Sequence, residues 1–291
     1  MGTGRSTVGA VLLERIGAQA AVLTELDDAV RADEPDAVHR MRVASRRLRS
    51  ALRTYRRLFA PGATDELVAE LRWLGSALGR ARDREVLGER LVARARKLPA
   101  VCGPERVAAE LDQWARAEYR RVRPEVVAAL DGPRRRALAE GLAVLLADPP
   151  LRGRAGRAAA PELARVAERE RRRTARRVRR ALAGGPGQDE ALHEARKAAK
   201  RARYAGETAL PVGGAAAERY VERLKAVQDV LGEHQDAVVA AAALGAQADG
   251  TGEPFGYGVL YGQELAAGAA ARERLPAVWR RAAKGGPVRF G

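Results

Sequence analysis

Residues 36–49 read DAVHRMRVASRRLR, and residues 190–203 read EALHEARKAAKRAR. Both stretches begin with an acid, Ala, an aliphatic residue and then His, and both carry Arg three residues after that His. A second match joins LGRARDREV at 78–86 to LGEHQDAVV at 231–239, through Leu-Gly-x-x-x-Asp-x-x-Val. The two blocks keep the same order and nearly the same separation. We interpret them as an internal duplication of a unit of several elements.

Helix-forming residues dominate the chain. Ala, Leu, Arg and Glu are abundant, β-branched runs are few, and alternation of apolar and polar residues is rare. Glycine and proline mark the breaks between segments. The pattern predicts an all-α protein with helices at 6–32, 36–60, 64–79, 81–98, 104–130, 133–148, 161–183, 188–210, 215–231, 234–248 and 255–283.

The duplication divides the chain near its middle. Residues 148–162, DPPLRGRAGRAAAPE, form the widest loop-like stretch and are predicted to be a linker. We therefore expect one helical bundle over residues 1–150 and a second over 151–291, related by a pseudo-twofold axis. A chain of 291 residues is long enough to bury a substantial core.

Residues 39–58 carry eight arginines and no acid. At about 100° per residue, one side of this helix is a core face made by Met41, Ser45, Leu48, Leu52, Tyr55 and Phe59. A basic stripe flanks that face and consists of His39, Arg42, Arg46, Arg49 and Arg53. Arg56 and Arg57 extend the stripe, whereas Arg40 and Arg47 lie on the opposite flank.

The second copy repeats this stripe in shorter form. Its basic face consists of His193, Arg196, Lys200 and Arg203. Its core side is lined by small residues that allow a close helix approach, namely Ala195, Ala199, Ala202 and Gly206. Glu207 stands where the first copy has Arg53, so we expect ion pairing at the far end of the second stripe.

The charge of the first stripe needs an explanation. Like charges at i, i+4 destabilise a helix by a few tenths of a kcal/mol per pair, and this stripe has no acid to offset them. Acids from other helices, forming a salt-bridge layer, are one explanation. A bound polyanion is the other, and guanidinium groups bind phosphate oxygens in bidentate fashion. The stripes lack stacking or base-reading side chains apart from Tyr204, which favours recognition of a phosphate backbone alone.

The bulk composition agrees with a polyanion partner. Lys and Arg number 53 against 37 Asp and Glu, a formal net charge of +16. The single cysteine, Cys102, indicates a reducing compartment, so we expect a cytoplasmic protein. The sequence contains no apolar run long enough to span a membrane. It also has no P-loop, zinc pattern or dinucleotide-binding turn, so we expect no cofactor.

These residues resemble the CHAD domain, the conserved histidine α-helical domain family. The resemblance rests on DAVHRMRVASRRLR, EALHEARKAAKRAR and the two Leu-Gly-x-x-x-Asp blocks, and it covers nearly the whole chain. It implies two pseudo-symmetric helical bundles of about four helices each. It also implies binding of inorganic polyphosphate through basic residues at the bundle interface, with polyphosphate granules as one place of association. Family proteins often carry a CYTH-type triphosphate-processing domain too; we expect none in this sequence, which argues against catalysis.

The resemblance also implies the binding residues. The histidines that name the family match His39 and His193. The basic positions match Arg42, Arg46, Arg47 and Arg49 in the first copy, and Arg196, Lys200, Arg201 and Arg203 in the second. Arg53, Lys197, Arg72 and Lys225 are further candidates, the last two because they precede the Leu-Gly blocks at equivalent places.

Three alternatives to this interpretation stay open. A nucleic-acid-binding module would use the same arginines on a phosphodiester backbone. A Mg²⁺-dependent phosphohydrolase would use Asp83 or Asp236, although an acid that orients an arginine is the better interpretation of both. Each histidine could also ligate a metal with the acid three residues before it, although a hydrogen-bonded His beside a helix-capping acid is favoured. We expect the two histidines to contact phosphate, and binding to strengthen from about pH 8 to pH 6. His234 is expected to be structural.

Residues 168–182, ERERRRTARRVRRAL, form a separate basic segment. The corresponding helix of the first copy is acidic at Glu25, Asp27 and Asp28, so this segment is not a shared motif. An extension of the anion-binding surface and a solvated helix face are equally good interpretations of it.

Overall fold

The computed structural model of the protein describes residues 6–284 and 286–290. Within them the chain forms nine α-helices: α1 (Val8–Glu25), α2 (Asp27–Arg31), α3 (Ala37–Thr54), α4 (Asp65–Ala95), α5 (Pro104–Asp131), α6 (Pro133–Ala147), α7 (Ala159–Leu182), α8 (Gln188–Gln247) and α9 (Pro254–Ala283). Extended pairing in the described ranges amounts to two isolated bridges, from Thr7 to Ala158 and from Phe59 to Leu151. The predicted all-α fold class is confirmed. No helix in these ranges is both long enough and apolar enough to cross a bilayer.

Helix α3 follows the apolar pattern that its sequence predicts. Met41, Leu48 and Leu52 are fully buried, and burying each such side chain stabilises the fold by about 1.5–3 kcal/mol. Ser45 belongs to the same face, and its hydroxyl donates to the Leu71 carbonyl at 3.0 Å. Tyr55, just beyond the helix end, is buried as well. The predicted core face of this helix is therefore confirmed.

Two predicted helix breaks are wrong. Helix α4 runs unbroken through residue 80, and α8 runs unbroken through residues 232–233, so both Leu-Gly blocks lie inside helices. In each block the glycine faces an arginine instead of ending a helix. A Cβ on Gly79 would lie 3.6 Å from the Arg42 guanidinium, and a Cβ on Gly232 would lie 3.7 Å from that of Arg196. The glycines therefore leave room for an arginine to lie flat against the helix.

Helix α8 does break where Pro211–Gly214 predicts. Gly214 has φ 48° and ψ −148°, a backbone conformation that L side chains rarely adopt, so this residue kinks the 60-residue helix. The first predicted helix, 6–32, is instead divided at Leu26 into α1 and α2.

The predicted linker at 148–162 is held against the first half of the chain. The Ala60 amide donates to the Pro150 carbonyl, the Arg152 amide donates to the Leu58 carbonyl, and α7 already begins at Ala159. The largest hydrophobic cluster draws on α1, α3, α4, α7 and α8 together. The two halves therefore share a core across residue 150.

This shared core places α3 directly against the first part of α8. Of the small residues predicted to allow a close helix approach, Ala202 is fully buried in the cluster shared with α3, whereas Ala195 and Ala199 are fully buried in a separate cluster with α7 and α9. The Tyr55 hydroxyl donates to the Ala205 carbonyl at 3.3 Å. Gly206 instead faces the part of α8 beyond the kink, because a Cβ there would lie 2.5 Å from the Tyr220 ring. The close approach brings the basic faces of α3 and α8 together.

Candidate polyanion-binding site

Basic side chains of α3, α4 and α8 meet where these helices approach one another. We call them the central cluster: Arg42, Arg46, Arg49, Arg53, Arg72, Arg196, Lys200 and Arg203. The half-buried ammonium of Lys200 has a pKa lowered to about 7. Burial is the largest cause, and the positive charges of Arg196, Arg46 and Arg42 add to it, while Asp236 opposes them.

The arginines of the cluster also repel one another. Burial, followed by the charges of Arg53, Arg72 and Arg46, lowers the pKa of Arg49. The pKa of Arg196 is lowered chiefly by burial; the nearby acids raise it, and Arg46 and Arg42 lower it further. Within the described ranges, five members make no ion pair with a carboxylate: Arg46, Arg49, Arg53, Arg72 and Lys200. The first stripe is therefore only partly neutralised by acids from other helices.

Tyr204 lies between the two stripes. Its hydroxyl accepts a hydrogen bond from Arg46 Nε, and its ring is 5.9 Å from the Arg46 guanidinium and 5.0 Å from that of Arg203. The ring is buried, with 6% of its surface exposed. Tyr204 thus positions two arginines through cation–π and hydrogen-bond contacts, and offers little surface for stacking a base.

The repeated acids each face an arginine of the central cluster. Asp83 lies 2.9 Å from Arg42, and Asp236 lies 4.0 Å from Arg196. Burial raises the pKa of Asp236, and Arg196 and Arg90 counteract that rise. This geometry agrees with acids that orient arginines. Across the described ranges there is no group of three or more His, Cys, Asp or Glu side chains placed to hold a metal ion.

Glu207 ends the second stripe, and it is ion-paired as expected. This buried carboxylate, 6% exposed, contacts Arg15 at 2.9 Å, Arg47 at 3.1 Å and Arg203 at 3.1 Å. Three guanidinium groups around one buried acid form a structural ion-pair network.

The two candidate histidines have different surroundings. His39 has its pKa lowered, first by burial and then by the charge of Arg82, with Asp36 opposing. His193 instead has its Nδ1 3.0 Å from Gln235 Oε1, and Gln235 occupies the place in its block that Arg82 occupies in the other. Asp36 occupies the N-cap position of α3, but its side chain makes no cap hydrogen bond; in α8 that position belongs to Gly187, and Glu190 lies in the first turn. Buried His234 contacts Asp189 and the Gly268 carbonyl, which fits its expected structural role.

Four predicted binding residues lie against acids outside the central cluster. Arg47 contacts Glu207 at 3.1 Å, and Arg201 lies 3.9 Å from the buried Glu170. Exposed Lys197 and Lys225 pair with neighbours on their own helix, Glu194 at 2.6 Å and Asp229 at 2.8 Å. Such exposed pairs contribute little, so these two lysines stay available to a ligand.

Sequence reasoning missed three features of this region: the hydroxyl of Tyr204, the amide of Gln235 and the guanidinium of Arg15. The position of Gln235 inside the repeated Leu-Gly block was the available signal for it. Nothing in the local sequence of Arg15 connects it to Glu207, because 192 residues separate the two.

The chain belongs to the CHAD domain family, whose model matches residues 14–245. Its relatives include two uncharacterised proteins of Mycobacterium tuberculosis, MT2285 and Rv2226. Each is 38% identical over 265 residues, covering 88% of this chain and 50% of the relative. The chain thus spans about half the length of these curated relatives.

Two solved structures share the fold. The CHAD domain from the plant Ricinus communis superposes with a TM-score of 0.77 at 26% identity, covering 99% of this chain and 95% of that one. PptA from Streptomyces chartreusis gives a TM-score of 0.76 at 24% identity, covering 94% of this chain and all of the other. The family predicted from the two histidine motifs is confirmed.

Proposed function

We propose that this protein binds inorganic polyphosphate through the central cluster and does not turn it over. The observation that carries the proposal is a group of basic side chains, several of them half-buried, that have no carboxylate partner within residues 6–284 and 286–290: Arg46, Arg49, Arg53, Arg72 and Lys200. Concentrating cations in this way costs free energy that a polyanion would recover, because phosphate oxygens accept charge-assisted hydrogen bonds from guanidinium groups. A cytoplasmic location, with association to polyphosphate granules, is part of the same proposal.

We also propose that the site arose by duplication, with bundles over 1–150 and 151–291 related by a pseudo-twofold axis. The support is a contact made twice. Arg42 lies on Gly79 and faces Asp83, while Arg196 lies on Gly232 and faces Asp236. Each half would thereby present one oriented arginine to the same linear ligand.

A polyphosphate chain fits the cluster better than a nucleic acid does. Base recognition uses exposed aromatic rings or amide groups beside the phosphate contacts. Tyr204 is the aromatic residue at this cluster, and its buried ring is occupied by Arg46 and Arg203. The non-catalytic part of the proposal rests on Asp83 and Asp236, whose carboxylates face arginines.

Titration calorimetry near physiological salt tests the proposal, with long-chain polyphosphate, duplex DNA and single-stranded RNA as ligands. The charge-reversal variant is Arg42→Glu/Arg46→Glu/Arg49→Glu. The matched control, Arg40→Glu/Arg120→Glu/Arg136→Glu, changes the net charge equally at exposed positions outside the cluster. We expect tight polyphosphate binding that only the first variant loses, by at least about 100-fold if two charge-assisted hydrogen bonds disappear.

Competition decides between the ligands. Long-chain polyphosphate should displace bound nucleic acid, and the reverse displacement should fail. Equal affinity for all three ligands would favour the nucleic-acid alternative or a generic polyanion surface. Release of orthophosphate from polyphosphate by the purified chain with Mg²⁺ would support the phosphohydrolase instead.

A further inference from the structure

A basic cavity lies where α3 ends, α4 begins and α7 crosses α8. Its volume is about 620 Å³. Eight arginines line it against three acids, Asp65, Glu170 and Glu194. The arginines come from the end of α3 and the turn after it, from α7 and from α8: Arg53, Arg56, Arg57, Arg169, Arg173, Arg176, Arg177 and Arg201.

The positive charge of this cavity is largely uncompensated. Glu170, buried with 3% of its surface exposed, lies near three of the arginines: Arg169 at 3.3 Å, Arg173 at 3.7 Å and Arg201 at 3.9 Å. The other five lining arginines make no ion pair in the part of the chain that the structure describes. Arg201 Nε is buried 3.9 Å from Glu170 Oε2, and neither atom makes a hydrogen bond among the described residues.

Arg53 connects this cavity to the central cluster. It follows Arg49 by one helical turn on the same face of α3, and it also lines the cavity. The positive charge of Arg53 acts on both regions, because it helps to lower the pKa of Arg49 in the central cluster and the pKa of Arg201 in the cavity. Positive charge therefore continues from the central cluster across Arg53 into the cavity.

We propose that the cavity binds a further segment of the same linear phosphate chain that occupies the central cluster, an assignment that rests on the proposed function. Its lining holds eight guanidinium groups against three acids and two threonines, and guanidinium groups bind phosphate oxygens. None of the described residues that line it is aromatic, so they offer no stacking surface for a nucleobase. The extension exists at the end of the α3 stripe and not at the equivalent end of the α8 stripe. At the equivalent end of the second stripe, Glu207 replaces Arg53, so the bound chain extends from the cluster towards α7.

A matched pair of variants on α7 tests this extension. Arg176→Gln/Arg177→Gln removes two cavity arginines, and Arg179→Gln/Arg180→Gln removes the same charge one turn later, outside the cavity lining. None of the four side chains pairs with a carboxylate among the described residues, so both variants should fold; denaturant unfolding verifies this. The probes are long-chain polyphosphate, tripolyphosphate and orthophosphate, each titrated over a range of salt concentrations.

The cavity variant should bind long-chain polyphosphate about tenfold more weakly, and the slope of log affinity against log salt concentration should be shallower by roughly one to two. The control variant should match wild type, and tripolyphosphate binding should change much less than long-chain binding. Identical long-chain affinity for the two variants would overturn the extension. An equally large loss of tripolyphosphate or orthophosphate would also overturn it, and would indicate a separate site for compact anions.

The Arg46→Gln/Arg49→Gln variant keeps this test separate from that of the proposed function. If this variant loses long-chain binding while the cavity variant does not, the extension alone fails. If it retains wild-type affinity, or if wild type does not bind polyphosphate, the proposed function fails whatever the cavity variant does.

Discussion

The basic stripes of α3 and α8 start alike and end differently. Each begins with a histidine, followed three residues later by an arginine that faces an aspartate. The α3 stripe then continues through Arg53 to a cavity lined by further arginines. The α8 stripe stops at Glu207, which contacts three arginines and is almost completely buried.

The two ends differ by the presence of one acid, Glu207. Around Glu207, the guanidinium groups of Arg15, Arg47 and Arg203 hold the helices together. Around Arg49 and Arg53 no such acid exists in the described ranges, and the positive charge remains available to a ligand. Stability is therefore expected to depend on the far end of the α8 stripe, and binding on the equivalent end of the α3 stripe.

The largest expected effect is on stability at the Glu207 end. Glu207→Gln leaves three partly buried guanidinium groups without their shared carboxylate, so the free energy of unfolding should fall by about 3–5 kcal/mol. The matched change at the other stripe, Arg53→Gln, should alter it by less than about 0.5 kcal/mol, because Arg53 pairs with no acid among the described residues. Urea unfolding of both variants measures the difference. Equal losses would show that the two stripe ends are not distinct.

Lys200 should couple polyphosphate binding to proton uptake. The negative charge of bound phosphates should offset the repulsion that Lys200 experiences from Arg196, Arg46 and Arg42. Its pKa of about 7 should therefore rise on binding, so the bound state holds more protons. Affinity should therefore be greatest below about pH 7 and fall at higher pH, at most about tenfold per pH unit, until the pKa of the bound state is passed. Calorimetry in buffers of different ionisation enthalpy counts the protons.

Lys200→Arg is the control for this coupling. An arginine at this position stays charged over the same pH range, so the variant should bind without proton uptake above pH 7. Unchanged proton uptake in the variant would assign the coupling to another group.

The smallest effect concerns the two histidines. Arg82→Gln gives His39 the kind of neighbour that His193 has in Gln235. The pKa of His39 should rise, because one cation that lowers it is removed and Asp36, Glu85 and Glu89 lose an arginine partner. Nuclear magnetic resonance titration of the His39 ring protons follows the change. A pKa that stays the same or falls would mean that Arg82 does not control His39.

The periodicity of α3 was sufficient to predict its core face and its basic stripe, since both depend only on residue spacing along one helix. The helices continue through both Leu-Gly blocks, where the sequence predicts breaks, although glycine usually weakens a helix. Here Gly79 and Gly232 instead provide space for Arg42 and Arg196, which arrive from other helices. Rules that consider one helix alone cannot predict a contact with an arginine from another helix.

The remaining differences also arise from contacts between distant segments. Arg46 and Arg47 are neighbours in the sequence, but Arg47 faces Glu207 and Arg46 faces Tyr204. The sequence of residues 168–182 fits a ligand-binding surface and a solvated helix face equally well. The structure places this segment beside the end of α3, where the two form the cavity. That placement depends on how α3, α7 and α8 pack together, which the sequence of one helix does not reveal.

The most direct test of the account is the unfolding free energy of wild type and Arg49→Gln, each with and without long-chain polyphosphate. Arg49 has no acid partner in the described ranges, and its neighbours are arginines, so its removal should leave the ligand-free protein as stable or slightly more stable. The same variant should show a clearly smaller stabilisation by polyphosphate, because it binds the ligand more weakly. A variant that is destabilised without ligand, yet is stabilised by polyphosphate as much as wild type, would contradict the claim that these arginines serve to bind polyphosphate.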